Sequence, residues 1–260
     1  MIAGTETTRP RHAVLRQGRV DAQPAYLLHI RPWRETSLLL EAFTRDYGRI
    51  ALAARGARRP HSVLRGLMLA FQPLEISWSG KGEILNLVKA EWQGGQPPLS
   101  GLPLFCGYYL NELLLRLLPR EDAHPELFAH YLRALMRLGY STRRQVAEAD
   151  LRGFERALLA ELGYGLTLDR DTDGAAIAAH ARYRYEIERG PSRVLHSSPE
   201  DENAALVLSG QTLIDVRHDD YLRAATRNEA KQLMRRLLTH YLDGAELESR
   251  KWVRELQELC

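Results

Sequence analysis

Four arginines, Arg55, Arg58, Arg59 and Arg65, fall within the stretch "ARGARRPHSVLR", with no acidic residue among them. A guanidinium carries its N–H groups in a planar fork that suits phosphate and carboxylate oxygens. Crowded like charges repel, so such a loop gains most when an anion lies against it, and contact with a phosphate backbone is the favoured reading. A second set, Arg223, Arg227, Lys231 and Arg235, recurs every fourth residue in "YLRAATRNEAKQLMRRLLTHYL". That spacing puts the four on one helical face, with Leu233, Leu237 and Tyr241 toward the opposite, core-facing side. Stacked cations cost about 0.2–0.5 kcal/mol per pair, and only Glu229 relieves them. The stripe is either a solvated helix back or a second phosphate-binding face.

Bond-making chemistry finds no such grouping. The nine histidines stand singly, without HxH or HExxH spacing, and His29 reads as a core or edge residue of a strand. "SGKGE" lacks P-loop spacing and precedes a strand, so it reads as a hairpin turn. No GxSxG elbow occurs, and the acids sit singly on helix faces. A non-enzymatic protein without cofactor is expected. Cys106 and Cys260 are far apart and form no CxxC pair, which leaves neither a disulfide framework nor a cysteine-rich zinc site. Together with a start that lacks an apolar signal region, this fits the cytoplasm. The arginine-rich, acid-poor start resembles an organellar transit peptide, but a flexible leader over residues 1–23 or an upstream start codon is the simpler reading. No apolar run is long enough to cross a bilayer, so no membrane partner is expected.

The elements that position these residues divide the chain. Residues 24–92 hold five short runs rich in Leu, Ile, Val, Phe and Trp, punctuated by "RPWRE", "TRDYG", "RRPHS" and "GKG". Five close strands predict a small barrel, either a five-stranded OB-fold or an SH3-like barrel. Residues 31–90 hold ten Lys or Arg against five Asp or Glu, a net charge of +5 on a chain whose total is +3. Arg34, Arg49, Arg55, Arg58, Arg59, Arg65 and Lys81 fall in or beside the barrel loops, interleaved with Trp33, Tyr47, Phe71 and Trp78. Those aromatics either line the barrel core or offer faces for base stacking.

"QGGQPPLSGLP" breaks the pattern, and from residue 103 the apolar period becomes helical. Pro125 suits a first helical turn, and Gly163 or Gly165 a helix end. Residues 166–216 read as an irregular insertion in which "RYRYEIERG" and "ALVLSGQTLIDV" supply short strands. A long helix from about Asp219 to Tyr241 and an amphipathic one in "GAELESRKWVRELQEL" close the chain. The fold class is α+β, with a barrel over 24–92 and a mainly helical domain over 103–260.

"RPWRETSLLLEAFTRDYGRIALAARGARRPHSVLRG", "FQPLEISWSGKGE", "YYLNELLLRLLPRED", "LFAHYLRAL", "LRGFERALLAELGYG" and "LESRKWVREL", in this order, resemble the bacterial RecO family of DNA repair and recombination proteins. The resemblance covers roughly residues 24–255. It implies an N-terminal OB-fold, a helical domain and an irregular element that is a four-cysteine zinc finger in some members. Residues 166–216 contain no cysteine, so the resemblance is to the zinc-less branch and no metal is implied. It further implies binding of single- and double-stranded DNA at the nucleoid and annealing of complementary strands. With RecR, the family helps load RecA onto strands coated by the single-stranded-DNA-binding protein, without nucleotide or covalent chemistry. Arg152 matches an arginine that pairs with the terminal carboxylate of that coating protein's acidic, phenylalanine-ended tail. The neighbouring position, often basic in the family, is Gly153 here. Two rivals come from other classes: an OB-fold RNA-binding factor, since phosphate contacts do not separate DNA from RNA, and a structural adaptor whose helices dock partners.

Overall fold

The computed structural model describes residues 18–141, 144–194 and 206–252, without the side chains of 144–147. Most of the leader, His196, Cys260 and the end of the last amphipathic segment lie outside the described residues.

Five strands form a closed barrel: β1 (Gly18–Trp33), β2 (Ser37–Thr44), β3 (Gly48–Ala54), β4 (Leu74–Gly80) and β5 (Ile84–Trp92). Their order is β1-β2-β3-β5-β4, with β3 and β5 parallel and every other pair antiparallel. This is the OB-fold, so the SH3-like alternative is set aside. β1 closes the barrel because its first half pairs with β4 and its second half with β2. The strand begins at Gly18, six residues before the expected start. It bends where its register shifts between Val20 and Gln23 and again between Leu27 and His29. Alternation sends Leu27, Leu40, Ile50, Leu52, Leu74, Ile76 and Trp78 inward, all essentially without solvent contact. His29 lies on the exposed face of β1.

The chain divides into two compact units, and the division does not follow the Gly/Pro-rich break alone. The barrel unit also takes in Leu118–Phe128. Arg49 and Arg120 form a parallel bridge, the Arg49 guanidinium donates to the Leu118 carbonyl at 3.0 Å, and the Phe128 ring packs on Tyr26 and Phe43. Gly48 is obligatory here: its φ is +65°, and a Cβ would lie 1.9 Å from the Asp122 carbonyl oxygen.

The other unit is built on α1 (Leu102–Leu117), α2 (Pro125–Tyr140, from Ala129 onward) and α3 (Arg144–Glu161). A three-stranded sheet follows, ordered β7-β6-β8: β6 (Arg182–Glu186), β7 (Gly190–Arg193) and β8 (Val207–Ser209). Helices α4 (Gly210–Arg217) and α5 (Ala224–Tyr241) and a helical stretch at 248–252 complete it. Two expectations need correction. "ALVLSGQTLIDV" supplies only the three-residue β8 before turning into α4. The Ser209 hydroxyl caps that helix by accepting from the Thr212 N–H at 3.1 Å, and Leu213 and Val216 bury one helical face. The long helix starts at Ala224, not near Asp219, because Asp219 takes a φ of +56° and the Asp220 carboxylate accepts from the Leu222 N–H in a turn.

Candidate functional site

Cations gather at two places, one in each unit. In the barrel, the loop after β3 is fastened from below: Ala57 and Met68 are buried in the barrel core, with Leu64 and Leu67 packed against it. It is fastened sideways as well. The Arg58 backbone N–H donates to the Thr36 carbonyl at 2.9 Å, and its guanidinium donates to the Glu35 carbonyl at 3.2 Å and that of Arg34 at 3.5 Å. The β1–β2 turn and the arginine loop therefore form one end of the barrel. Arg34 holds a φ of +54° there, and its guanidinium lies 4.6 Å from the Trp33 ring centre. Arg34, Arg55, Arg58, Arg59, Arg65 and Lys81 are all exposed, and none has an acidic partner among the described residues. Lys81 sits in the β4–β5 turn, where Gly80 and Gly82 have positive φ, as expected of a hairpin.

Arg49 does not join them. It pairs with Glu41 at 3.1 Å and fastens the Leu118–Phe128 segment, with only 15% of its side chain exposed. Arg120 pairs with the same carboxylate. Arg49 is a structural tie of the barrel, and its charge is already met. Of the interleaved aromatics, Trp78 and Phe71 are buried and Tyr47 packs edge-on against Trp78 at 5.2 Å, so these three are core residues. Trp33 is half-buried. The exposed tryptophan of the barrel is Trp92, 58% accessible, which the sequence pattern does not single out.

In the helical unit, α3 and α5 bring Arg152 and the cation stripe into one cleft. The cavity measures about 610 Å3. Its cationic lining is Arg152, Arg227, Lys231, Arg235 and Arg250, against the two carboxylates Glu148 and Glu246. Leu102 and Phe105 of α1, with Leu242 and Leu247 beyond α5, give it apolar walls. Arg223 is not part of it: it is the residue preceding α5, in extended conformation. Nor does Glu229 relieve the stripe, because its carboxylate is turned to Ser209, accepting from the backbone N–H at 2.9 Å and the hydroxyl at 3.1 Å. Arg227 donates to the carbonyls of Tyr221 and Leu222. Lys231 and Arg235 have no ion-pair partner among the described residues. Leu233 and Leu237 face the core as expected, whereas Tyr241 stacks on Tyr164 with ring centres 4.0 Å apart.

Arg152 is buried, 8% exposed, and its Nη2 donates to Glu155 at 2.8 Å. It is thus neither a solvated helix residue nor an unpaired one. Glu155 has no exposure at all, and burial pushes its carboxyl above the usual range, opposed by Arg152, Tyr109 and Arg250. A Cβ on Gly153 would lie 3.9 Å from the Asp219 carboxylate, so there is ordinary room for a side chain at that position. No set of three His, Cys, Asp or Glu among the described residues is arranged to hold a metal ion. No described helix is long and apolar enough to cross a membrane.

Comparison with known proteins meets both units. The family described as Recombination protein O N terminal matches residues 21–95, and Recombination protein O C terminal matches residues 100–251. The chain is 58% identical over 243 residues to a DNA repair protein RecO of Dechloromonas aromatica, covering 94% of this chain and 99% of the relative. A DNA repair protein RecO of Ralstonia nicotianae is 46% identical over 258 residues, covering 99% of this chain and 93% of the relative.

Proposed function

Since the chain belongs to the RecO family and so has a role in DNA repair and recombination, we propose that it anneals complementary single strands and acts as a recombination mediator. With RecR as partner, it helps load RecA onto DNA coated by the single-stranded-DNA-binding protein, in gap and double-strand break repair at the cytoplasmic nucleoid. The observation that carries this is the basic end of the barrel, where Arg34, Arg55, Arg59 and Arg65 are held outward without acidic partners among the described residues. A rigid loop of this kind holds phosphates of single- or double-stranded DNA without fixing sequence, as annealing requires. No bond is made or broken, so the protein need only bring two polyanions together and screen their repulsion.

The cleft supports a second contact, to the coating protein's tail. An acidic chain end terminating in phenylalanine would set its ring against the apolar wall, its carboxylate on Arg152 and its acidic side chains along Lys231 and Arg235. This reading moves the α5 cations from nucleic acid to peptide, because they share their cavity with Arg152 and apolar side chains. The decisive experiment is annealing of complementary strands, naked and coated. Annealing no faster than the spontaneous rate in both cases would remove the proposal.

A further inference from the structure

Behind the cleft wall lies a polar cluster that direct contact with a tail leaves unused. The Oε1 atom of buried Glu155 accepts from Arg152 Nη2 and from the Tyr109 hydroxyl. Arg250 donates to that hydroxyl at 3.1 Å and lies 5.3 Å from the Tyr109 ring centre. Two side chains that line the cleft, from α1 and α3, thus converge on one carboxylate, and a third, from the 248–252 stretch, joins through the Tyr109 hydroxyl. Glu155 Oε2 and Arg152 Nε are buried with no hydrogen-bond partner among the described residues. A half-satisfied buried network is costly to folding, and such costs concentrate where function needs them. The other charged or titratable groups near the cluster are Tyr221 and Asp219 from the turn before α5, the latter bound by Arg156, and Glu148 one turn earlier on α3.

We infer that Glu155 is the positioning residue of this cleft, holding Arg152 and taking up a proton when a ligand carboxylate comes to share that guanidinium; this rests on the cleft receiving an acidic chain end. In the empty cleft, burial pushes the Glu155 carboxyl up while Arg152, Tyr109 and Arg250 pull it down. A second carboxylate draws on the same arginine and adds repulsion, and two carboxylates at one site favour a proton on one of them. The proton comes from solvent and goes to Glu155, with no bond to the ligand formed. Affinity then weakens as pH rises, by at most about tenfold per pH unit for one proton. No histidine among the described residues lines the cleft to imitate this response near neutrality.

The test is calorimetry on the full-length chain, titrated at neutral pH with an acidic peptide ending in phenylalanine, in two buffers of different ionisation heat. Wild type should bind with net uptake of up to one proton, and Glu155→Gln with none. Tyr109→Phe, which removes one donor to the carboxylate, should move the uptake to higher pH and covers the case in which the first variant does not fold. Binding by wild type with buffer-independent heat would overturn the inference while leaving the tail site standing. Equal uptake in Glu155→Gln, or an unmoved profile in Tyr109→Phe, would overturn it too. No peptide binding at all would remove the tail site itself.

Discussion

Glu229, the one acid within the cation stripe of α5, is bound to Ser209 through the backbone N–H at 2.9 Å and the hydroxyl at 3.1 Å. Lys231 and Arg235 therefore gain no ion pair from it, and the cleft they line holds five cations against the two carboxylates Glu148 and Glu246. Replacing both by glutamate should weaken capture of an acidic, phenylalanine-ended peptide by tenfold or more in low salt. The loss should shrink as salt rises, because exposed charges are screened over about 10 Å at 0.1 M. Fluorescence anisotropy with labelled peptide reads this directly. Annealing of naked strands should stay at the wild-type rate, and a parallel loss there would return the stripe to nucleic acid.

Arg152 needs a gentler substitution than alanine. Removing it leaves Glu155 buried without its cation, a change that typically costs about 3–5 kcal/mol in folding. Arg152→Lys keeps the charge beside Glu155 and loses the fork, so peptide affinity should fall about tenfold while the melting temperature moves little. Unchanged peptide affinity would mean that the terminal carboxylate is held elsewhere.

Arg55 and Arg59 are exposed and unpaired among the described residues, whereas Arg58 also ties the β1–β2 turn. Arg55→Ala with Arg59→Ala should lower single-strand affinity and flatten its logarithmic salt slope by about 1.4, at about 0.7 for each phosphate no longer neutralised. Arg49→Ala should instead lower the melting temperature, since Arg49 holds Glu41 and the Leu118 carbonyl. A flattened salt slope in Arg49→Ala alone would reverse that assignment.

Asp150 gives stability a pH dependence of defined sign. Burial lifts its carboxyl from 3.8 to about 6, with Arg137, 2.7 Å away, pulling the other way, and its Oδ2 is buried without a partner among the described residues. The folded state binds the proton more tightly than the unfolded chain, so stability falls as pH rises from about 4 through about 6. Asp150→Asn should melt above wild type near pH 8, and the gap should close below about pH 4. A gap that does not change with pH would show that the carboxyl is not perturbed.

In the turn after Leu168, the Asp171 carboxylate accepts from the N–H groups of Asp173 at 3.1 Å and Ala175 at 2.9 Å. The side chain thereby ties the turn. Asp171→Ala should cost about 1–2 kcal/mol, a melting shift of about 2–4 °C per kcal/mol for a chain of this size. Elemental analysis should find no stoichiometric zinc. About one zinc per chain would overturn the metal-free reading of the protein.

The barrel is legible in the sequence because half-buried strands alternate apolar and polar residues, and punctuating turns separate them. The arginine loop is legible because it is local in sequence. What escapes depends on partners distant in the chain. Arg49 looks like Arg55 until Glu41, on the neighbouring strand, and the Leu118 carbonyl are seen beside it. The stripe on α5 and Arg152 on α3 are 75 or more residues apart, and only helix packing joins them in one cleft. Residues 210–217 pass for strand because a short apolar run fits either period, and the Ser209 cap that decides it is a single side chain.

The return of Leu118–Phe128 to the barrel has a consequence for dissecting the protein. The chain crosses between its two units more than once, so no single cut frees an intact barrel. A fragment ending at Gly95 would strip Phe128 from the rings of Tyr26 and Phe43 and leave Glu41 without Arg120. Such a piece would carry a bare aromatic face and would aggregate, losing strand binding for reasons unrelated to its arginines. Separation-of-function work on this protein belongs in point substitutions, not in excised halves.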